Sequence, residues 1–258
     1  ETDVVEEAGV RYGTSSYWYF GYKLFSYMMT DDLTATLYGV KNGVTYEGET
    51  LTVSVRGFVS QSIASASEEM RALYANMLDY GAKAQIYLNY KTDDLATSEL
   101  GEYASYITTD DATVQDVSAT TSNGLTGVTI SSPSLGLTSS VQIQPVIRLK
   151  SYTTDQVYAV MSFTRDGETV TERVEGADFV HLNGTYYAAI YESLWANEGR
   201  TPVQITVYDL EGNAVSETRT TSIATLCTTA TTTDANTLGV LKALMHFYDA
   251  AETVFGSN

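Results

Sequence analysis

The sequence predicts a mainly β fold with two long helices, arranged as two tandem Ig-like β-sandwich modules that each end in one amphipathic helix. Three observations support this prediction. Two long stretches have helical periodicity, alternating strand-like segments precede each of them, and both features recur at a nearly constant spacing. The predicted modules cover residues 1–106 and 125–258, with a linker at 107–124.

The helices are predicted over residues 67–89 and 236–255, where apolar side chains follow the i, i+3, i+4 spacing of one helix face. Ser67 and Asp234 stand where residues that cap helix N-termini are expected. An amphipathic helix must bury its apolar face, so each helix is predicted to pack on its own β-sandwich.

The duplication extends from the helices to the segments before them. Leu73 aligns with Leu241 at an offset of 168, and residues 33–55 align with 203–225 at an offset of 170. The pattern of each segment predicts a strand, a Gly-containing turn and a second strand, which is typical of a β-hairpin. The second copy gains further alternating strands between residues 125 and 174, including an Asp166-Gly167 turn.

The charge of the chain excludes some classes of partner. Fourteen Lys and Arg stand against 32 Asp and Glu, and the resulting net charge of -18 repels phosphate backbones and anionic lipid surfaces. We therefore expect no nucleic-acid partner and no membrane partner. The single cysteine, Cys227, is predicted to be a small buried side chain on a strand.

Sequence motifs for catalysis and metal binding are absent from the chain. His181 and His246 are interpreted as surface or packed residues, and the adjacent acids at 31–32, 93–94 and 110–111 as solvated caps and turns. We expect a protein that is not an enzyme and has no catalytic residue, no metal and no cofactor.

Tyrosine is the unusual feature of the composition, with 20 Tyr, 7 Phe and 2 Trp in the chain. Sugars stack their C–H faces on flat rings, while polar neighbours bind their hydroxyls. The ligand-binding residues predicted on this basis are Tyr17, Trp18, Tyr19 and Lys23 in the first copy and Tyr187 and Trp195 in the second. The alternative is that these rings pack inside the sandwiches.

The run MLDYGAKAQIYLNYKTDDLA at residues 77–96 resembles a signature of multimodular surface proteins from gut Gram-positive anaerobes. The residues in register with it are Tyr80, Gly81, Ala84, Gln85, Tyr87, Tyr90, Asp94 and Leu95. The resemblance is good over residues 30–96 and looser over 135–256. Among such surface proteins, the chain is similar to the starch-adherence (amylosome) family.

That resemblance implies an extracellular, cell-surface role in which a monomeric chain binds polysaccharide, with α-glucan favoured, beside other modules of a surface complex. The few Cys and Lys and the abundant Thr, Ser and Tyr also resemble exported proteins of Gram-positive bacteria. The alternative is a structural or adhesive spacer that binds no sugar.

Overall fold

A computed structural model describes residues 10–11, 18–19, 24–131, 133–137 and 140–256, the first two segments by their backbone alone. The described part of the first half contains few strands. Its elements are β1 (Val10–Arg11), β2 (Trp18–Tyr19), a 3₁₀ turn (Ser26–Met28), β3 (Leu33–Lys41), β4 (Val44–Val53), α1 (Val55–Ser62) and α2 (Glu68–Leu88).

The second half contains most of the sheet. Its elements are β5 (Ala119–Thr121), β6 (Val128–Ile130), β7 (Ser134–Gly136), β8 (Gln142–Gln144), β9 (Val146–Leu149), β10 (Val157–Arg165), β11 (Glu168–Glu175), β12 (Val180–Asn183), β13 (Tyr186–Ala188), a 3₁₀ turn (Ala196–Glu198), β14 (Val203–Asp209), β15 (Thr218–Thr221), α3 (Ile223–Thr228) and α4 (Ala235–Phe255).

Two antiparallel sheets make up the β part of the second half. One has five strands in the order β11-β10-β14-β15-β5, and the other has four in the order β12-β13-β9-β6. Met161 and Ile205 from the first sheet and Ile147 from the second are buried in one common core. The architecture is therefore mainly β and β-sandwich-like, as predicted for this half.

Both predicted long helices are present, with ends set by the predicted caps. Ser67 accepts a hydrogen bond from the backbone N–H of Met70 at 3.3 Å, and Asp234 accepts one from Thr237 at 2.7 Å. The helix α2 ends at Leu88 and is followed by the C-cap residue Asn89, whose φ of 54° is left-handed. The mainly β fold with a long C-terminal helix is confirmed.

The packing of the long helices differs from the prediction. The helices α2 and α4 pack on each other, and the rings of Tyr80 and Phe247 lie parallel across this contact, with centroids 6.0 Å apart and planes 7° apart. Within residues 24–106, β3 and β4 form the only described strands. Two tandem Ig-like modules, each with its own helix, are therefore not confirmed.

The order of elements nevertheless occurs twice, over residues 26–88 (the first copy) and 196–255 (the second copy). In each copy a 3₁₀ turn is followed by a strand pair, a short helix and a long helix. The amide of Arg56 donates to the carbonyl of Met29 at 2.9 Å, and Ala224 donates to Gly199 at 2.8 Å. These bonds tie the short helix to the 3₁₀ turn in the same way in both copies.

The strand pairs of the two copies also share their register. Leu33 pairs with Val53 in the first copy, and Val203 pairs with Thr221 in the second. A hydroxyl pair crosses each strand pair at the same place, Thr36 to Thr50 at 2.8 Å and Thr206 to Thr218 at 2.7 Å in the second copy. The two pairs are equivalent in three dimensions.

Cys227 lies on helix α3 and not on a strand, which corrects the prediction. Ser222 caps this helix, since its hydroxyl accepts a hydrogen bond from the Thr225 amide at 3.0 Å. The cap interrupts the alternating pattern that favoured a strand. The thiol is buried as predicted, and burial raises the pKa of Cys227 to about 12.

Residues 107–124, the predicted linker, contain β5, which pairs with β15. Gln115 lies upstream of β5, and its backbone N–H donates to the Thr228 hydroxyl at 3.1 Å. The predicted module boundaries stay a prediction. None of the described helices is both long and apolar enough to cross a membrane.

Replacing Gly81 by Leu should destabilise the protein by about 1–3 kcal/mol, because this position is already closely packed. A Cβ atom at Gly81 would lie 2.5 Å from Met29 Sδ and 3.2 Å from the Ser26 carbonyl oxygen. Thermal melts would measure the loss. The matched control is Gly239→Ala in α4, where the nearest neighbour is Lys83 Cδ at 3.8 Å. An unchanged melt for Gly81→Leu would contradict the close packing.

Cys227 should not react with an aromatic disulfide reagent at pH 8 while the protein is folded, because its buried thiol has a pKa of about 12 and holds its proton. Release of the coloured thiolate, followed by absorbance, should begin only after guanidinium is added. Rapid reaction of the folded chain would show that helix α3 opens readily.

Candidate functional site

The outward face of the five-stranded sheet is the candidate functional site. Strand β10 alternates between faces, so that Val157, Ala159 and Met161 are buried in the core. Tyr158 and Ser162 therefore point to the other face. This outward face is where the sheet meets solvent.

Two tyrosines lie side by side on this face. Tyr158 on β10 is directly opposite Tyr208 on β14. Their ring centroids are 5.5 Å apart and their planes differ by 16°, and both side chains are half-buried. Nearly parallel rings at this separation are stacked face to face, and we call this stack the tyrosine pair.

Arg173 on β11 extends the tyrosine pair. Its guanidinium carbon lies 3.5 Å from the centroid of the Tyr158 ring, a cation–π contact. Two of its nitrogens bind the Glu175 carboxylate at 2.5 and 3.0 Å, and the hydrogen bond to Glu175 raises the pKa of Arg173. The guanidinium therefore covers one face of the Tyr158 ring, and both ends of its ion pair are half exposed.

The turn after β14 borders the tyrosine pair on another side. Gly212 has a φ of 88°, and a Cβ atom there would lie 3.9 Å from the Tyr158 hydroxyl oxygen. The Asp209 carboxylate accepts hydrogen bonds from the backbone N–H of Asn213 at 2.8 Å and from its side chain at 3.1 Å. These bonds, the backbone one first, lower the pKa of Asp209. The carboxylate of Asp209 is thus used to close the turn.

The rest of the outward face carries mostly hydroxyl and amide groups, with the apolar Val160 beside the tyrosine pair. The strand registers place on it Ser162, Thr164, Thr169, Thr171, Gln204, Thr206, Thr218 and Thr220. Hydroxyl groups both donate and accept hydrogen bonds. The site therefore combines a stacked pair of aromatic rings with many neutral hydrogen-bonding groups.

The first-copy residues predicted to bind ligand cannot be placed at this site. Tyr17 and Lys23 lie outside the described residues. Trp18 and Tyr19 form β2, which pairs with β1, and only their backbone is described. Their role stays a prediction.

Trp195 is 54% exposed, but one face of its ring is covered. The Arg165 guanidinium carbon lies 3.7 Å from the ring centroid. Arg165 also binds the buried carboxylate of Glu198 at 2.5 and 2.7 Å, and this carboxylate accepts a hydrogen bond from the Trp195 amide at 2.7 Å. Trp195 is thus held in a structural network and leaves its opposite ring face for a ligand.

Tyr187 lies on the four-stranded sheet, opposite the buried Ile147, and is partly packed against the core. Its ring is 5.1 Å from that of His181. No ring contact among the described residues joins Tyr187 to Trp195. The structure therefore does not gather these two predicted residues into one surface.

Sequence reasoning missed the tyrosine pair. The signals available were the alternation of β10 and the alignment of Tyr208 with Tyr38. Neither signal states which strands are neighbours. The pair forms only because β10 lies next to β14 in the sheet. The two tyrosines are 50 positions apart in the sequence (208 minus 158).

The signature residues near the end of α2 have structural contacts. The Gln85 side chain is buried, donates to the Asp94 carbonyl at 3.0 Å and accepts from the Ala96 amide at 2.8 Å. The Asp94 carboxylate binds Arg56 of α1 at 2.5 and 3.2 Å. These contacts hold the chain that follows α2 against α1.

The histidines and the adjacent acids are engaged in ordinary contacts. His246 is buried, and its Nε2 lies 2.8 Å from the carbonyl oxygen of Asp110. The carboxylate of Asp31 accepts from the Tyr90 hydroxyl at 2.7 Å and from Lys91 at 2.8 Å. Within the described residues, no group of His, Cys, Asp and Glu is arranged to hold a metal ion.

No family model matches the chain, and no curated protein and no solved structure shows significant similarity to it. Function is therefore inferred from the geometry of the site.

A chelator should leave the melting temperature unchanged, because the acids of the described turns bind protein groups and need no metal to stay folded. Thermal melts with and without EDTA, with added calcium as the matched control, would measure this. A drop of several degrees in EDTA that calcium reverses would reveal a metal site.

Proposed function

We propose that the chain is a non-catalytic carbohydrate-binding protein of the bacterial cell surface, and that the outward face of its five-stranded sheet binds the polysaccharide. The observation that carries this proposal is the tyrosine pair, whose nearly parallel rings lie 5.5 Å apart on a face lined with hydroxyl groups. The sugar would stack its C–H face on the side of the Tyr208 ring that is turned away from Tyr158, while Tyr158 supports that ring from behind.

The surroundings of the tyrosine pair favour a neutral, hydroxyl-rich ligand. The Arg173 charge is already paired with Glu175, and Asn213 lies in the bordering turn. These groups can donate and accept hydrogen bonds without a charged ligand. The net charge of -18 opposes polyanions and leaves neutral polysaccharides unaffected.

The choice of α-glucan comes from the resemblance to starch-adherence proteins and from no individual residue. The same resemblance supports an extracellular location and assembly with other modules of a surface complex. We propose a monomer that needs no cofactor.

We also propose that the two copies derive from one Ig-like module. The shared strand register and the equivalent hydroxyl pairs support this origin. Tyr38 of the first copy is the counterpart of Tyr208. Binding by Tyr17, Trp18, Tyr19, Lys23 and the open face of Trp195 would add further contacts to the same polysaccharide.

Removing one ring of the tyrosine pair should weaken binding to soluble starch about thirtyfold, since a stacking hot spot contributes about 2 kcal/mol. The variants are Tyr158→Ala and Tyr208→Ala, and native gel retardation in starch measures retention. The matched control is Tyr87→Ala, because Tyr87 is a partly exposed tyrosine on helix α2. Thermal melts separate loss of the site from loss of the fold.

Equal retention of all variants would place the site elsewhere. A parent chain that binds neither starch, cellulose nor xylan would favour the spacer function instead.

Starch binding should also be nearly independent of salt between low and moderate ionic strength. A neutral sugar gains no Coulomb energy from a charge of -18, so screening has little to remove. Retention measured at several NaCl concentrations tests this expectation. A steep loss with salt would indicate a charged ligand.

A further inference from the structure

Trp195 lies far from the tyrosine pair along the five-stranded sheet. Its ring stacks on Arg165, which is the last residue of β10, whereas Tyr158 is near the start of that strand. Seven positions separate the two β10 residues (165 minus 158), which corresponds to about 23 Å at about 3.3 Å per residue. The two ring surfaces are therefore at opposite ends of β10.

The sheet also lies between the two ring surfaces. Tyr158 points to the outward face, while strand alternation places the Arg165 side chain on the side of the buried Phe163. The guanidinium carbon of Arg165 lies 5.2 Å from the centroid of the Phe163 ring, which confirms this direction. A straight segment of polysaccharide stacked on Tyr208 therefore cannot contact Trp195.

One face of the Trp195 ring is available to a ligand. The Arg165 guanidinium carbon covers the other face, 3.7 Å from the ring centroid, and the residue is nevertheless 54% exposed. Such an exposure requires most of the uncovered face to be in solvent. An open indole face of this kind suits the C–H face of a sugar ring.

The ring is held in place before any ligand binds. The buried carboxylate of Glu198 accepts hydrogen bonds from two nitrogens of Arg165 at 2.5 and 2.7 Å and from the Trp195 amide at 2.7 Å. Arg165 also donates to the carbonyl of Ser193 at 2.9 Å. Both the backbone of Trp195 and the group behind its ring are thus fixed, so binding would cost little conformational entropy.

The surroundings of Arg165 favour a neutral ligand with hydroxyl groups. Its charge is already paired with Glu198 and is not left for an anion. Glu168 is the cross-strand partner of Arg165 and shares its side of the sheet, and Asp166 follows in the tight turn. Both acids are exposed, and their carboxylates can accept hydrogen bonds from sugar hydroxyls.

We propose that the open face of Trp195 is a second sugar-binding site, independent of the tyrosine pair, and that one chain thereby joins two segments of neutral polysaccharide. This inference rests on the proposed function. Because the sites lie on opposite sides of the sheet, the two segments can belong to different polysaccharide molecules. Two sites on one chain also raise the avidity for a polymer without raising the affinity for a short oligosaccharide.

Calorimetric titration of the full chain with maltoheptaose, a linear fragment of starch, counts the sites. The parent is expected to bind two molecules per chain, and Tyr208→Ala and Trp195→Met one each. Methionine keeps an apolar cover on Arg165 but offers no flat face, so thermal melts should match the parent. Trp195→Phe keeps a ring and should retain both sites. The matched control, Tyr87→Ala, removes a partly exposed tyrosine on α2 and should also retain both.

Light scattering from soluble amylopectin mixed with the chain tests whether two segments are joined. Scattering should rise with the parent and with Tyr87→Ala. It should not rise with Tyr208→Ala or Trp195→Met, because a chain with one site cannot bridge two polysaccharide molecules.

Several results would overturn the proposal. A single site that is lost in Tyr208→Ala and kept in Trp195→Met would exclude the second site and leave the proposed function intact. An early melt of Trp195→Met with both sites kept would show that Trp195 only covers the ion pair of Arg165 and Glu198. Two sites without a rise in scattering would refute the joining of segments. A parent that binds no maltoheptaose, cellohexaose or xylohexaose would overturn this inference together with the proposed function.

Discussion

The contact between helices α2 and α4 is the interaction on which the rest of the structure depends. It joins the two copies through buried apolar side chains and the parallel rings of Tyr80 and Phe247. Burial raises the pKa of Tyr80 to about 12, which reflects how little water reaches this contact. Each long helix therefore buries its apolar face mainly through its counterpart, and a separate sandwich under each helix is not required.

Each long helix also packs closely against the 3₁₀ turn of its own copy. The glycine that makes room for this contact lies on a different element in each copy. In the first copy the glycine is on the helix, where Gly81 admits Met29. In the second copy the glycine is on the turn, where a side chain at Gly199 would clash with Tyr248. In both copies a glycine on one element faces a large side chain on the other. The helix and the turn can therefore come equally close, since only one side of each contact is large.

The two copies differ most in what surrounds their strand pairs. In the second copy, β10 and β15 flank β14, so one face enters the core and the other presents the tyrosine pair. In the first copy the equivalent strands pair with no other described strand and form a hairpin with exposed leucines. Gln85 and Asp94 of the sequence signature support the backbone after α2, so these two residues help to maintain the scaffold.

Local features of the chain were predictable from the sequence by itself: the long helices with their Ser67 and Asp234 caps, the Asp166-Gly167 turn, and the repeat of the hairpin pattern. Each depends on residues close in sequence, so short-range hydrogen bonding and side-chain periodicity determine them. Only the tertiary structure decided that α2 packs on α4 and that Tyr158 lies beside Tyr208. Both depend on which distant segments become neighbours, because strand order and helix partners are set by burial of the whole chain.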